Sequence, residues 1–243
     1  MVKITHETAS AMLAKRAAQV QRGSARAAVL GVNDGLVSVL CLVVGVAAAG
    51  ADAKSVLLAG FAGALAGAIS MAAGEWISVR AQVELFENVL VDLKNIVKND
   101  KPLLEQNLAK NLEKHGIDSV TSKNAVTAVA RSDKEFMSMY SSQVIGLNED
   151  ELGSPWVAAV SSFVLFWLGS IPPLLPWIIG WHNIEGILFA VVLTGFGSLF
   201  VGGYTARSSG KSVFLGALRQ LLIVVFASAV TYGIGVVFGV VVS

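Results

Sequence analysis

Two acidic side chains lie inside long apolar stretches of this sequence, where an ionised carboxylate needs a partner. Asp34 stands about eight residues into the first apolar stretch, and Glu75 stands near the end of the second. A charged group deep in such a segment costs at least about 2.5 kcal/mol, so it normally faces a cavity, another polar group or a substrate. A structural hydrogen bond between helices is the competing explanation for Asp34. These two acids are the first candidates for chemistry.

Met71 adds a different type of ligand to this pair. It stands four residues before Glu75, so the two side chains share one face of a helix. If the first two spans are antiparallel, Met71 falls at nearly the same depth in the membrane as Asp34. Glu75 then lies about one turn nearer the membrane surface at which the first span begins. Carboxylate oxygen suits many divalent cations, whereas a thioether favours softer transition metals over magnesium or calcium. We therefore predict a divalent-metal site, with ordinary packing as the alternative role for Met71.

Other kinds of chemistry find little support. The sequence has no Glu-x-x-His pair, which counts against a ferritin-like di-iron site. It also lacks a phosphate loop, a nucleophile elbow and a dinucleotide fingerprint, and its single cysteine, Cys41, excludes a disulfide framework. Lys and Arg number 18 against 17 Asp and Glu, so a basic surface for nucleic acid is missing. We expect neither an enzyme nor a nucleic-acid partner, and no permanently bound cofactor.

The elements that must position these residues are membrane helices. Only 14% of the residues are charged and 54% are hydrophobic, whereas a soluble domain carries about 25% charged residues. A helix needs about 20 apolar residues to span the hydrocarbon core. Five stretches satisfy this length and predict an all-α polytopic membrane protein with five transmembrane helices, at about residues 27–50, 56–77, 156–179, 184–204 and 213–242.

A segment of another character separates the second and third spans. Its apolar residues recur at three- and four-residue spacing, and Pro102 and Gly116 divide it into three amphipathic helical segments. We predict a helical insert that carries further candidate metal ligands: Glu84, Glu87, Glu105, Met137 and Met139. The alternative for the acidic residues is an ordinary solvated face. The predicted organisation is an N-terminal segment at 1–25, helices one and two at 26–80, the insert at 81–154 and helices three to five at 155–243.

Basic residues predict the orientation in the membrane. Basic residues that include Lys15, Arg16, Arg22 and Arg26 precede the first span. Three more surround the turn between the fourth and fifth spans, whereas the opposite loops are nearly free of them. The positive-inside rule therefore places the N-terminus and the insert in the cytoplasm and the C-terminus on the opposite side. Residues 3–22 are either an interfacial helix with a basic face or a disordered leader.

Small residues are concentrated in the first two spans. The second begins with AGFAGALAGA, in which Gly63 and Gly67 stand four residues apart, and Gly235 and Gly239 repeat this spacing in the last span. Such residues let helix backbones approach closely in lipid. They predict tight helix contacts and are compatible with self-association.

Three motifs together resemble the vacuolar iron transporter family, in its prokaryotic and nodulin-like branch. They are GVNDGLVS in the first span, AGAISMAAGEWISVRAQ at the end of the second and SIPPLLPW in the third. The resemblance implies export of ferrous iron, and often manganese, from the cytosol by proton antiport. It also implies a homodimer with its pore between the two copies of helix one. The family's pore aspartate falls on Asp34 and its pore methionine on Met71.

The sequence also departs from the family's pattern. Iron-selective members resembling plant vacuolar transporters have a further glutamate in helix two, and Gly63 occupies that position here. In the insert, Glu105 matches one expected glutamate, but the next falls on Leu108, and Met137 and Met139 are offset from the family's methionine pair. Metal selectivity and metal binding by the insert therefore do not follow from the resemblance.

The leading hypothesis is a proton-coupled exporter of Fe²⁺ or Mn²⁺. Asp34 and Met71 are its expected pore ligands, Glu75 an entrance ligand or proton carrier, and Glu84, Glu87 and Glu105 collect metal at the cytoplasmic mouth. Proton uptake by a carboxylate offers a route for releasing the ion. The host is expected to be the cell membrane in a prokaryote or a vacuolar-type membrane in a eukaryote. The alternative is a membrane-anchored binding or scaffold protein whose insert contacts partners without metal flux.

Overall fold

The computed structural model describes residues 23–147, 153–181 and 183–242, and within these ranges the chain is almost entirely helical. The basic segment at residues 3–22, for which an interfacial helix is one expectation, lies outside the described residues. The α-helices are α1 (Gly23–Ala48), α2 (Ala53–Lys114), α3 (Ser119–Val129), α4 (Asp133–Tyr140), α5 (Pro155–Ile178), α6 (Asn183–Ser208) and α7 (Val213–Val242).

Five of the described helices are long and apolar enough to cross a membrane, as the sequence predicts. They are α1, α2, α5, α6 and α7. The chain divides into two compact units: residues 78–154 belong to one, here called the insert unit, and residues 22–77 and 155–243 form the other, here called the membrane unit. The cytoplasmic position of the insert stays a prediction.

The helix α1 is at the centre of the membrane unit and contacts α5, α6 and α7. Its apolar face (Val39, Leu40, Val43 and Val44) is at most 1% exposed and forms the middle of the hydrophobic core. At Gly35 and Gly169 the backbones of α1 and α5 lie so close that an added Cβ at either position would collide with the other helix. Small residues therefore fix the side of α1 that faces α5.

The glycines of the last span serve a similar contact within the chain. A Cβ added at Gly239 would lie 2.8 Å from the Ala49 carbonyl oxygen, and one added at Gly235 would meet the Gly45 backbone. The spacing of these two glycines thus marks a close approach of α7 to the end of α1, as the sequence predicts for a helix contact.

Aromatic residues stand near both ends of α5. Trp156, at its start, contacts Trp76 of α2 with 5.8 Å between ring centroids. Trp177, near its end, lies about 32 Å from Trp156 along the helix at 1.5 Å per residue. This separation is close to the thickness of the hydrocarbon core, about 30 Å, and tryptophan is enriched at both membrane–water interfaces. The length of α5 therefore fits one complete crossing.

The insert unit has its own hydrophobic cluster, in which Leu108 and Phe136 are fully buried. Within α2, Asp100 departs from helical geometry with φ −151° and ψ 58°, and Pro102 follows this kink. Lys101 at the kink donates hydrogen bonds of 2.6 Å to the Ala130 carbonyl and to the Asp133 carboxylate. These bonds tie the kink to the start of α4.

The third predicted segment of the insert consists of two α-helices rather than one. Ser132 interrupts it with an extended backbone (φ −121°, ψ 118°), and its hydroxyl accepts a hydrogen bond from the Glu135 N–H at the start of α4. A Ser followed three residues later by Glu is a known helix-start signal, so this boundary was readable from the sequence.

Candidate intramembrane metal site

Asp34 lies on a part of α1 that its contacts with α5, α6 and α7 leave uncovered. Gly31 and Gly35 pack against α5, and Leu36 is buried against Gly197 of α6. Asp34 and Ser38, one helical turn apart, are both exposed in the single chain. The packing of α1 therefore directs one carboxylate and one hydroxyl away from the core.

The second helix approaches α1 through small residues. A Cβ added at Gly60 would lie 2.6 Å from a methyl group of Val43, and one added at Gly63 would contact Leu42. At the next turn, a Cβ added at Gly67 would collide with the ring of Phe166 from α5. These side-chain contacts place the part of α2 around Gly67 beside both α1 and α5.

A cavity of about 520 Å³ lies between these elements. Asp34 and Met71 both line it, so the structure brings these two sequence-predicted residues together. Since a water molecule takes about 30 Å³ of liquid volume, the space admits a hydrated cation. The remaining lining residues are Ser38, Val39, Leu42, Gly63, Gly67, Ser70 and Phe166.

The polar lining of the cavity is sparse. Asp34 is the one carboxylate among its lining residues, Met71 supplies a thioether, and Ser38 and Ser70 supply hydroxyls. The two serines were missed by the sequence reasoning, although Ser38 follows Asp34 at four-residue spacing and Ser70 directly precedes Met71. A mixed oxygen and sulfur environment is chemically suited to a divalent transition metal.

Glu75 has a different position from the other two predicted ligands. It stands one helical turn beyond Met71 on α2 and is partly exposed, but it is not among the residues that line the cavity. Glu75 therefore stands one turn away from a lining residue and is not itself part of the cavity wall. Its expected function as an entrance ligand or proton carrier stays a prediction.

The candidate ligands of the insert unit have other contacts. Glu84 forms an ion pair of 2.7 Å with Arg80, one helical turn earlier, and Glu87 is exposed. Met137 and Met139 are partly buried against the hydrophobic cluster of the insert, and Glu105 is also partly buried. Within the described ranges, no three His, Cys, Asp or Glu residues are grouped so as to hold a metal ion. Metal binding by the insert stays a prediction.

Fold and site together define a polytopic helical membrane protein with a carboxylate and a thioether facing one intramembrane cavity. The sequence profile of the VIT family matches residues 25–236, and the chain belongs to this family. The resemblance drawn from the three motifs is thereby confirmed. Members of this family are transporters, so the expectation that the protein is not an enzyme also holds.

Relatives cover most of the chain. It is 34% identical over 224 residues to vacuolar iron transporter homolog 1 of Oryza sativa subsp. japonica, and the aligned region covers 88% of this chain and 73% of that protein. It is 31% identical over 222 residues to the vacuolar iron transporter of Acanthamoeba castellanii, with 88% and 78% covered. Vacuolar iron transporter 1 of Arabidopsis thaliana is 25% identical over 201 residues, with 79% and 80% covered.

Proposed function

We propose that this protein transports ferrous iron across a membrane, with Asp34 and Met71 as ligands of the ion in transit. The observation that carries the proposal is that both side chains line one cavity of the membrane unit. The similarity to proteins named as vacuolar iron transporters supports iron as the cargo and a vacuolar-type membrane as the host. The five apolar helices support an integral membrane location.

The chemistry of the cavity fits a transient metal site. One carboxylate and one thioether bind Fe²⁺ more weakly than a closed set of thiolates and imidazoles would, and a transporter must release its ion. The direction is export from the cytosol, with protons moving in the opposite direction and Mn²⁺ as a second cargo. Glu75 acts at the entrance, and Glu84, Glu87 and Glu105 collect metal for it.

The functional unit is a homodimer in which the two copies of α1 border one pore. Exposure of Asp34 and Ser38 in the single chain supports this arrangement, because a second copy would cover them and add a second carboxylate. Two carboxylates offset the two positive charges of the ion, which reduces the cost of holding it inside the bilayer.

Ion flux into proteoliposomes tests the proposal. Uptake of Fe²⁺, Mn²⁺ and Zn²⁺ is measured with and without a pH gradient for the wild type and for Asp34→Asn. We expect Fe²⁺ uptake that a pH gradient stimulates and that Asp34→Asn abolishes. Asp52→Asn is the matched control, since Asp52 is an exposed carboxylate in the α1–α2 turn. Wild-type uptake by Asp34→Asn contradicts the ligand function of Asp34, and absence of flux in the wild type favours a scaffold protein.

A further inference from the structure

Several hydroxyl groups on the membrane helices of this chain are bonded to a carbonyl of their own helix. Ser170 donates to the Phe166 carbonyl at 2.8 Å, Ser198 to the Gly195 carbonyl at 2.9 Å and Ser228 to the Val224 carbonyl at 2.7 Å. Thr205 and Thr231 bond in the same way. Such bonds satisfy a hydroxyl where water is scarce.

Ser38 and Ser70 behave differently. Neither side-chain hydroxyl forms a hydrogen bond to any residue in the part of the chain that the structure describes, and both serines line the cavity that contains Asp34 and Met71. Ser162 and Thr194 also lack hydrogen-bond partners in that part, but they are 0% exposed and are not lining residues of this cavity. Ser38 and Ser70 are therefore the unbonded hydroxyls that a ligand in the cavity can reach.

The two serines come from different helices. On α1, Ser38 follows Asp34 by one helical turn, and on α2, Ser70 directly precedes Met71. Each helix thus contributes one hydroxyl beside one stronger donor. Gly63, on the same cavity wall, contributes no side-chain oxygen.

We propose that Ser38 and Ser70 are metal ligands of this cavity and that their hydroxyl oxygens select the class of ion. This inference rests on the transport function proposed above. Neutral oxygen donors strengthen binding without adding charge, and hard oxygen ligands favour Mn²⁺ and Fe²⁺ over softer ions such as Cd²⁺. The thioether of Met71 acts in the opposite direction and disfavours Mg²⁺ and Ca²⁺. The mixed set therefore selects divalent ions of intermediate softness.

The test compares a hard and a soft ion in the same variants. Uptake of Mn²⁺ and of Cd²⁺ into proteoliposomes is measured for the wild type, Ser38→Ala, Ser70→Ala and the double variant. Loss of one oxygen ligand is expected to raise the KM for Mn²⁺ by about tenfold, the low end of the range for removing a group that supports a metal site. The KM for Cd²⁺ should change less than about twofold, because the Met71 sulfur remains.

Two matched variants separate ligation from packing. Ser38→Thr keeps the hydroxyl and should restore the Mn²⁺ KM. Ser228→Ala removes a buried hydroxyl that bonds to its own helix, and it should leave both KM values unchanged. A variant that is inactive in liposomes is compared with the wild type by its Mn²⁺ affinity in detergent. The paramagnetic resonance signal of free Mn²⁺ measures this binding at equilibrium.

The possible failures are distinguishable. A wild-type Mn²⁺ KM in the double variant overturns the inference, and so does an equal change for Mn²⁺ and Cd²⁺, which indicates a structural effect. In both cases the transport function stands if the wild type carries metal and Asp34→Asn does not. Absence of metal flux in the wild type overturns the transport function and the inference together.

Discussion

The side-chain amide of Gln220 in α7 donates a hydrogen bond to the side-chain oxygen of Asn33 in α1, one residue before Asp34. Gln220 is itself held against α6, since a Cβ added at Gly202 would lie 2.7 Å from the Gln220 Cβ. Neighbouring residues on a helix point about 100° apart. Fixing Asn33 toward α7 therefore also fixes the direction in which Asp34 leaves the helix, toward the cavity.

Removing one partner of this pair should destabilise the membrane unit. Gln220→Leu leaves the Asn33 amide unpaired among apolar side chains, which costs roughly 1–2 kcal/mol. The double variant Asn33→Leu/Gln220→Leu should be more stable than the sum of the single effects predicts, by about 0.5–1.5 kcal/mol. Thermal unfolding in detergent measures both quantities, and Gln106→Leu, at an exposed position of the insert, is the control. Strictly additive effects would contradict the coupling.

We predict that the substitution Gly63→Ala lowers transport without lowering the stability of the protein. A Cβ at this position would contact the end of the Leu42 side chain, and Leu42 borders the cavity. Gly63→Ala should push Leu42 into the cavity and lower metal flux several-fold. Stability should stay unchanged or rise, because replacing Gly by Ala within a helix contributes up to about 1 kcal/mol.

Two further variants check this reading of Gly63. Gly63→Ala/Leu42→Ala should recover flux, since the shorter side chain leaves the cavity open. Gly74→Ala is the matched control on the same helix, because an added Cβ there meets nothing within 4 Å. Unchanged flux in Gly63→Ala would show that Leu42 does not obstruct the path.

The five membrane spans were predictable because the thickness of the bilayer sets the length of each apolar stretch. Counting depth along antiparallel helices put Asp34 and Met71 at nearly the same level, a consequence of the regular helical rise. Both residues line one cavity in the structure. The helix start at Ser132 was missed even though Glu135 follows at the expected spacing. That error came from treating one amphipathic pattern as one helix.

Other features of the site do not follow from local patterns. Asn33 and Gln220 are 187 positions apart, and neither has a spacing that indicates the other. Serines are common in membrane helices and usually bond to a carbonyl of the preceding turn, so Ser38 and Ser70 carried no signal. Their unbonded hydroxyls become apparent only when the tertiary packing shows which face of each helix borders the cavity.

Met71 should control discrimination between metals. Met71→Leu keeps an apolar side chain of similar volume, so folding should change by less than about 1.5 kcal/mol. Loss of the thioether should lower the preference for Fe²⁺ over the harder Mn²⁺ by roughly tenfold, because sulfur favours the softer ion. The ratio of the two KM values in proteoliposomes measures this change. Ile69→Leu is the control, as Ile69 is an exposed apolar residue of the same helix that does not line the cavity. An unaltered ratio in Met71→Leu would remove Met71 from the ligand set.

Asp118 makes the stability of the insert unit depend on pH. It precedes α3, where its carboxylate accepts hydrogen bonds from the Thr121 N–H at 3.0 Å and the Val120 N–H at 3.1 Å. Hydrogen bonding from the side chain of Thr121, followed by its N–H and that of Val120, lowers the pKa of Asp118 below its usual value. A lowered pKa in the folded state means that the carboxylate form is the stabilising one.

The contribution of Asp118 is therefore fully present above the pKa of an unfolded aspartate, about 3.9, and is lost as the pH falls through the lower folded value. Hydrogen exchange of peptides covering residues 117–130, corrected for the intrinsic pH dependence of exchange, measures this loss. Asp118→Asn keeps an oxygen acceptor but does not titrate. We expect the wild type to be better protected than Asp118→Asn at pH 6 and the difference to shrink below about pH 4. A difference that is independent of pH would show that the charge of Asp118 does not stabilise the start of α3.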